Sequence, residues 1–405
     1  MRPFTSTIPF ADALSLALTA TAPLSRTEHV VLHAADGRVV AHDVVSAMDV
    51  PPFDRAAMDG YAVRCEQVRT GADGCEQVRS GAFRCVGVVY TGEVSLRGLE
   101  PGECIEIATG APIPAGTDAV VMVEDTERVD DVVTVRAPIK PRQNIGPRAA
   151  DIGMGSIVVS RGQVMTPSRI GALAATGHTS VEVIARPSVA ILSTGNEVVE
   201  PGLPLAPGQV YDINRYTLEA VVRRHGGLAY ALPRCGDSLD ELKAALDAAS
   251  VHDLIVFSGG SSVGERDLVR DVIAARGDML FHGIAVKPGK PTAFARIGAS
   301  LFLGMPGNPT SCLSNAYILM VPILRKLAGL PAWEPRTVTA PLARKITSSS
   351  DRHQFYTVRI VDGHAEPAFK GSGDITSMAN ADGYMEIPAT TETIEAGIVV
   401  TVTLF

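Results

Sequence analysis

Cysteine is sparse in this 405-residue chain: there are six, and no two stand as C-x-x-C. That spacing argues against a zinc site. The nine histidines form no H-E-x-x-H or other metal-ligand pattern. Unpaired thiols without a leader point to a reducing cytoplasm. The apolar run from Ala13 to Leu18 resembles a short signal segment, but Asp12 interrupts it. Phe10, Leu14, Ala17 and Leu18 share one helical face, so residues 10–20 read as an amphipathic helix instead. No uncharged apolar run reaches the length of a membrane span. Basic charge is short as well. Lys and Arg number 36 against 44 Asp and Glu, a net charge of −8, which argues against sequence-independent nucleic-acid binding. Two common phosphate fingerprints are missing: G-x-x-x-x-G-K-[ST], and G-x-G-x-x-G opening a helix.

What remains is an ordinary globular balance, 46% hydrophobic and 20% charged, in a chain too long for one core. The mixed segments 1–48 and 141–186 read as one elongated N-terminal domain. Within them, Pro167 to Ala175 is a short helix with proline at a first-turn position. Residues 49–140 carry short β-type runs separated by turn signals, and read as a β domain. Inside that domain, Cys65 to Ala72 is nearly repeated as Cys75 to Ala82. The pattern is a short tandem duplication with no apolar period, expected at the surface.

Residues 187–330 alternate strand and helix. Strands are expected at 188–192, 228–232, 253–257, 279–286 and 301–303, with helices at 214–225, 239–249, 268–275 and 310–328. Ser238 and Glu241 make a capping box at one helix start. This alternation means a doubly wound α/β domain with a parallel sheet. Residues 331–405, after a linker holding Trp333 between Pro331 and Pro335, return to β-type alternation and read as a barrel-like C-terminal β domain.

The chemistry concentrates in residues 253–312. A β-branched run ends in Ser258-Gly259-Gly260-Ser261-Ser262-Val263-Gly264 and passes into a helix. Unpaired backbone donors at such a helix start can hold an anionic oxygen. Lys287 and Lys290 each precede a proline, which restricts their backbone. Ligands in open α/β sheets bind beyond the carboxyl ends of the strands. Glu197, Asp237 and Asp267 each follow a strand there. Singly, the two aspartates can be helix-start acids favoured by the macrodipole. Together, beside two lysines, the three read as a hard-cation site for Mg²⁺ on a phosphate-bearing ligand.

Longer motifs carry a resemblance. They are Pro51-Pro52-Phe53-Asp54 with Ala57-Met58-Asp59-Gly60-Tyr61-Ala62-Val63, then Thr109-Gly110-Ala111-Pro112, Ser193-Thr194-Gly195 and Tyr211-Asp212. Ser258-Gly259-Gly260 with Val263-Gly264-Glu265, Lys287-Pro288-Gly289-Lys290-Pro291 and Pro306-Gly307-Asn308-Pro309 complete the set. Over essentially its whole length the chain resembles the molybdopterin molybdenumtransferases, the molybdenum insertases of cofactor biosynthesis also found as the C-terminal part of gephyrin.

The resemblance implies a homodimer of four-domain subunits. The active cleft would lie between the α/β domain of one subunit and the AMDGYA-bearing domain of the other. The substrates would be adenylylated molybdopterin and molybdate, with Mg²⁺-dependent release of AMP. The partners would be a molybdopterin adenylyltransferase upstream and molybdoenzyme-specific chaperones or apo-molybdoenzymes downstream. Functional positions carry over to Asp59, Thr109, Glu197, Asp237, Asp267, Lys287 and Lys290. Substrate contacts are expected from Ser258, Gly259, Gly260, Ser262, Gly264, Pro306, Asn308, Pro309, Arg352 and Ser372. Glu197, Asp237 and Asp267 would hold the metal.

Three departures from the family pattern stand out. Asn196 replaces an aspartate and Ser261 a valine. Residues 144–152 resemble N-I-R-x-x-G-E-D-I but lack its arginine, glycine and glutamate. Alternatives are a catalytically weak cofactor-binding scaffold, or a paralogue handling tungstate. Retention of the acidic trio and both lysines favours the enzyme. A nucleotide pyrophosphatase on the same α/β module is disfavoured by the additional β domains.

Overall fold

A computed structural model describes residues 7–64, 68–70, 76–78, 81–236, 238–259, 268–348 and 351–405. The chain divides into two units. One takes the described residues up to His29, with Gly37–Ala41 and Glu182–Phe405; the other takes Val30–Asp36 and His42–Val181.

The first unit is built on a six-stranded sheet. In spatial order its strands are Leu228–Ala231, Ser188–Ser193, Leu254–Ser258, Ser300–Met305, Ala293–Ile297 and Asp278–His282. The first four are parallel; Ala293–Ile297 runs antiparallel to both its neighbours, so Asp278–His282 points the same way as the first four. Successive side chains of a strand point to opposite faces, and here both faces are buried. Val189, Ile191, Leu254, Val256, Leu301 and Leu303 belong to one apolar cluster, with the helices Asn214–Arg224 and Val321–Leu327. Ala190, Leu192, Ile255, Phe257 and Phe302 belong to the other, with Leu239–Ala249 and Leu268–Arg276. Covering on both faces is what permits near-continuous apolar strands. The helix Phe10–Ala20 joins the first cluster through Ala13 and Ala17.

The sheet departs from the all-parallel expectation because Ala293–Ile297 pairs antiparallel with Ser300–Met305 across the Gly298 turn. Ala, Phe and Arg give that strand no β-branched run to read. The strand expected over 279–286 stops at His282, where Gly283 takes a φ of +95°. Val286–Lys287 then joins the C-terminal sheet beside His353–Val361. The single helix expected over 310–328 is Pro309–Asn315, a π-helical stretch Ala316–Met320, and Val321–Leu327. Pro322 explains the π segment. It has no N–H for the α ladder, and its ring would press on the carbonyl four residues back. The cap at Ser238 also differs in detail. Its hydroxyl accepts from the Glu241 N–H at 3.3 Å, as expected, but donates to the Glu241 carboxylate at 2.7 Å.

The C-terminal sheet orders Val286–Lys287, His353–Val361, Gly383–Ile387, Val399–Leu404 and Thr337–Pro341. Trp333, ahead of it, packs edge-on against buried His225 with ring centroids 4.7 Å apart.

The second unit contains another six-stranded sheet, formed by strands between Gly60 and Val135. Its strand Gly60–Val63, one in from an edge, lies antiparallel to both Glu103–Ile107 and Ala119–Met122. Of the duplicated segment, Val68–Thr70 and Glu76–Val78 pair antiparallel, Val68 opposite Val78. The rest of it, 65–67, 71–75 and 79–80, lies outside the described residues. Among the described residues no helix is long and apolar enough to cross a membrane.

Candidate active site

Three parallel strands end side by side at Ser193, Ser258 and Met305. Beyond them lies an open cleft with a volume of about 530 Å³. Of the residues expected from sequence, Glu197, Ser258, Gly259, Pro306, Asn308 and Pro309 line it together. Asp237, Gly260, Ser262, Gly264 and Asp267 lie outside the described residues. Among those described, no group of three or more His, Cys, Asp or Glu side chains could hold a metal ion.

Glu197 owes its position to Gly195. That glycine has a φ of +119°, and a Cβ on it would stand 2.7 Å from either Glu197 carboxylate oxygen. The acidic side chain therefore folds back over a backbone only glycine can supply. The Arg234 guanidinium fixes the same loop by donating to the carbonyls of Gly195, at 3.2 Å, and Val198. Asn196, the departure from aspartate, is exposed and does not line the cleft.

The loop bearing Lys287 and Lys290 is built from buried polar contacts. Asn315, with no exposed surface, donates from Nδ2 to Thr292 Oγ1 at 2.5 Å and to the Gly289 carbonyl at 3.1 Å. Thr292 Oγ1 donates to the same carbonyl at 2.7 Å. Both lysines are half-buried, and Pro291 at the end of the loop lines the cleft. Arg352 precedes His353, whose strand pairs beside Val286–Lys287. Its guanidinium contacts Asp351 at 3.2 Å.

Ser372 is brought to the cleft from the C-terminal region. Its hydroxyl accepts from Asn308 Nδ2 at 3.1 Å, and its carbonyl accepts from the Thr310 N–H. Thr310 Oγ1 also donates to the Asp374 carbonyl, and Gly373 lines the cleft between them.

Sequence reasoning passed over the floor of this cleft. Ser193, Thr194, Asp212 and Asn214 all line it and are at most 9% exposed. Asn214 Nδ2 donates to Ser258 Oγ at 2.7 Å and to the Gly307 carbonyl at 2.8 Å, tying two strand-end loops together. Asp212 Oδ1 accepts from the Arg215 N–H at 3.0 Å, capping the same helix. A buried asparagine opening a helix reads from sequence as a routine cap. Burial pushes the adjacent Cys312 thiol up to about 12, which keeps it protonated and inert.

In the second unit Asp59 and Thr109 meet. The Thr109 N–H donates to Asp59 Oδ1 at 2.7 Å, and both residues are exposed. Gly60 makes this corner possible. A Cβ there would lie 1.8 Å from the Val121 carbonyl oxygen, so no other residue admits the neighbouring strand. The altered stretch 144–152 also takes part in this unit. The Arg148 N–H donates to Asp54 Oδ1 at 2.8 Å, its side chain pairs with Asp49, and Arg142 pairs with Asp54 at 2.7 Å.

Residues 8–177 match the family described as MoeA N-terminal region (domain I and II). Residues 190–326 match a probable molybdopterin binding domain, and 339–405 the MoeA C-terminal region (domain IV). A molybdopterin molybdenumtransferase of Haemophilus influenzae is 33% identical over 391 residues, covering 94% of each chain. Molybdopterin molybdenumtransferase 2 of Mycobacterium tuberculosis is 34% identical over 382 residues, 91% of this chain and 92% of that one. A solved structure of the molybdopterin biosynthesis MoeA protein from Pyrococcus horikoshii superposes with a TM-score of 0.84 at 37% identity. It covers 98% of this chain and 99% of its own.

Proposed function

The chain belongs to the molybdopterin molybdenumtransferase family, enzymes of molybdenum cofactor biosynthesis, and from that premise we propose the reaction it performs. It transfers molybdenum from molybdate onto the dithiolene of adenylylated molybdopterin and releases AMP. The observation that carries this reading is the strand-end cleft, where the Ser258-Gly259 turn, the Pro306–Pro309 loop and the Glu197 carboxylate face one space.

The donors fit Mg²⁺, which takes oxygen ligands and shares them with substrate phosphates. Glu197 presents an exposed carboxylate in the cleft, and the sequence puts Asp237 and Asp267 after neighbouring strands. Bound there, Mg²⁺ would supply neutralisation of charge on the phosphoanhydride. Lys287 and Lys290 draw the anionic parts of both substrates, and Ser372 and Arg352 are the further side chains assigned to molybdate. Pro306 and Pro309 shape the wall without chemistry. Asp59 and Thr109 complete the cleft from a second copy of the chain in a homodimer. The adenylyltransferase feeds this step, and chaperones or apo-molybdoenzymes receive its product. A cytoplasmic location suits a chain whose described cysteines, Cys85, Cys104, Cys235 and Cys312, form no disulfide.

The test is AMP release from adenylylated molybdopterin by the purified full chain. Release should require both molybdate and Mg²⁺. Lys290→Ala should raise the molybdate requirement more than it slows a saturated turnover, because an ammonium attracts ground and transition states alike. Molybdate-independent AMP release at the full rate would defeat the proposal.

A further inference from the structure

Two of the six cysteines stand side by side in the second unit. Cys85 on strand Ala82–Val89 and Cys104 on strand Glu103–Ile107 are direct partners in a parallel pair. Paired Cα atoms on neighbouring strands lie about 5 Å apart, within the span of about 4.4–6.8 Å that a disulfide bridges. Both side chains face the same apolar cluster, where Cys104 is fully buried and Cys85 packs half-buried against it. Burial, and then the neighbouring Cys85 thiol, push the Cys104 thiol up to about 12, so it stays protonated behind its partner.

Cys85 has an opening to solvent that Cys104 lacks. From Cys85 to Val88 the strand takes three steps while its neighbour takes two, from Cys104 to Glu106, so one residue bulges out. Gly87 in this bulge is exposed, and Cys85 Sγ donates to its carbonyl at 3.5 Å. The Arg128 guanidinium is close by, its pKa raised by Tyr61 and then by Cys85, and it pairs with Glu106 at 2.7 Å. Among the described residues no third His, Cys, Asp or Glu joins the two thiols in a metal-holding group. An open thiol backed by a buried one, with a cation beside them, suits oxidation instead.

We propose that Cys85 and Cys104 form a reversible disulfide, with Cys85 the sulfur that meets the oxidant, a small peroxide. The Cys85 sulfur attacks one peroxide oxygen, the O–O bond breaks, and the departing hydroxide takes up the thiol proton as water. The Cys104 sulfur then attacks the sulfenic acid so formed. The S–S bond forms, the S–O bond breaks, and the second hydroxide leaves as water with the Cys104 proton. One peroxide is reduced as two thiols are oxidised. The bridge ties the strand that pairs with Gly60–Val63 and leads on to Thr109, so it sits within the sheet that carries the Asp59–Thr109 corner.

The test treats the reduced, folded full chain with hydrogen peroxide, alkylates the remaining thiols and maps the peptides by mass spectrometry. A peptide joining Cys85 to Cys104 should appear, lighter by two hydrogens than its reduced halves, and dithiothreitol should remove it. Cys104→Ser should leave Cys85 as a sulfenic acid, giving about tenfold more dimedone label than the unaltered chain. Cys85→Ser changes a half-buried position only, and should abolish the bridge and leave Cys104 unoxidised. Should Cys104→Ser not fold, the maps of the unaltered chain and of Cys85→Ser decide alone. Bridges from Cys85 to Cys65 or Cys75 instead, equal dimedone labelling of Cys85 with and without Cys104, or recovery of both Cys85 and Cys104 as free thiols would each overturn the proposal.

Discussion

Among the loops that enter the left-handed backbone region, two do so with different residues. In the lysine loop the residue is Gly289, at φ +112°, and a Cβ there would stand 2.5 Å from both terminal amide atoms of Asn315. In the 142–149 loop the residues are Arg142, Asn144 and Ala149, at φ +57°, +54° and +61°. The first conformation is essentially closed to L-residues. The second is the small αL well that they enter at modest cost. At 149, where the resembled N-I-R-x-x-G-E-D-I pattern has glycine, this chain has alanine, whereas at 289 it has glycine. At 289 a neighbouring atom occupies the Cβ position, whereas at 149 an L-residue meets only the modest cost of the αL well.

The largest expected effect follows from the crowded case. Gly289→Ala combines a forbidden φ with a clash against a fully buried amide. Strain and overpacking together should cost about 4 kcal/mol. The sole tryptophan, Trp333, packs on His225 in the same unit, so its fluorescence reports urea unfolding of that unit. A loss under about 1 kcal/mol would break the distinction between the loops.

Acid should separate the units next. His225 is buried, and neither ring nitrogen has a hydrogen-bond partner among the described residues. Desolvation, then the charges of Arg325 and Arg224, push its pKa down from 6.5 to about 4. A depressed histidine binds fewer protons folded than unfolded. Its contribution is therefore intact above pH 6.5, declines as pH falls through 6.5 toward about 4, and is flat below that. The shift amounts to about 3 kcal/mol at most. His225→Phe should remove this slope from the Trp333 signal. In the second unit, Asp49 is held below the ordinary aspartate range by the Met154 N–H and then Arg148, and Asp54 by Arg142 and then the Arg148 N–H. Those contacts persist above the ordinary value of 3.8 and weaken only as pH falls below it. Backbone hydrogen exchange should find this unit holding at pH 5, where the first has already lost stability.

Asn315→Ala should cost about 2 kcal/mol, through its two hydrogen bonds and the space it leaves. In the Gly289→Ala background the cost should shrink, because the same truncation removes the clash. Strict additivity would mean that Asn315 is not what enforces the glycine.

How much of this was legible beforehand varies by region. The strand ends at Ser193 and Ser258 and the helix Leu239–Ala249 could be read because β-branched runs and a cap mark them. Strand Ala293–Ile297 could not, since Ala-Phe-Ala-Arg has no strand signature and its pairing is set by the Gly298 turn. The cleft's acidic and basic rim was readable as charge following strands. Its floor was not, because the burial of Ser193, Thr194 and Asn214 together, with oxygens that have no partner among the described residues, is visible only in three dimensions. Nor does any sequence signal say that Val286–Lys287 leaves one sheet for another beside His353.

The smallest effect belongs to the open loop and tests the comparison most closely. Ala149 sits at φ +61°, and its N–H donates to the Pro51 carbonyl at 3.0 Å, so the loop is held in this conformation by its neighbours. Ala149→Gly would relieve αL strain of about 1 kcal/mol. Against that, glycine adds freedom to the unfolded chain, worth about 0.5 kcal/mol or somewhat more. The difference should be a gain near 0.5 kcal/mol, confined to the second unit and invisible to Trp333. Hydrogen exchange of the Ala149 and Asp151 amides, which bond to Pro51 and Val50, is the direct readout. Protection should rise by about twofold. Falling protection at both amides would mean that alanine is the better residue here, and that its side chain, not strain alone, decides the position.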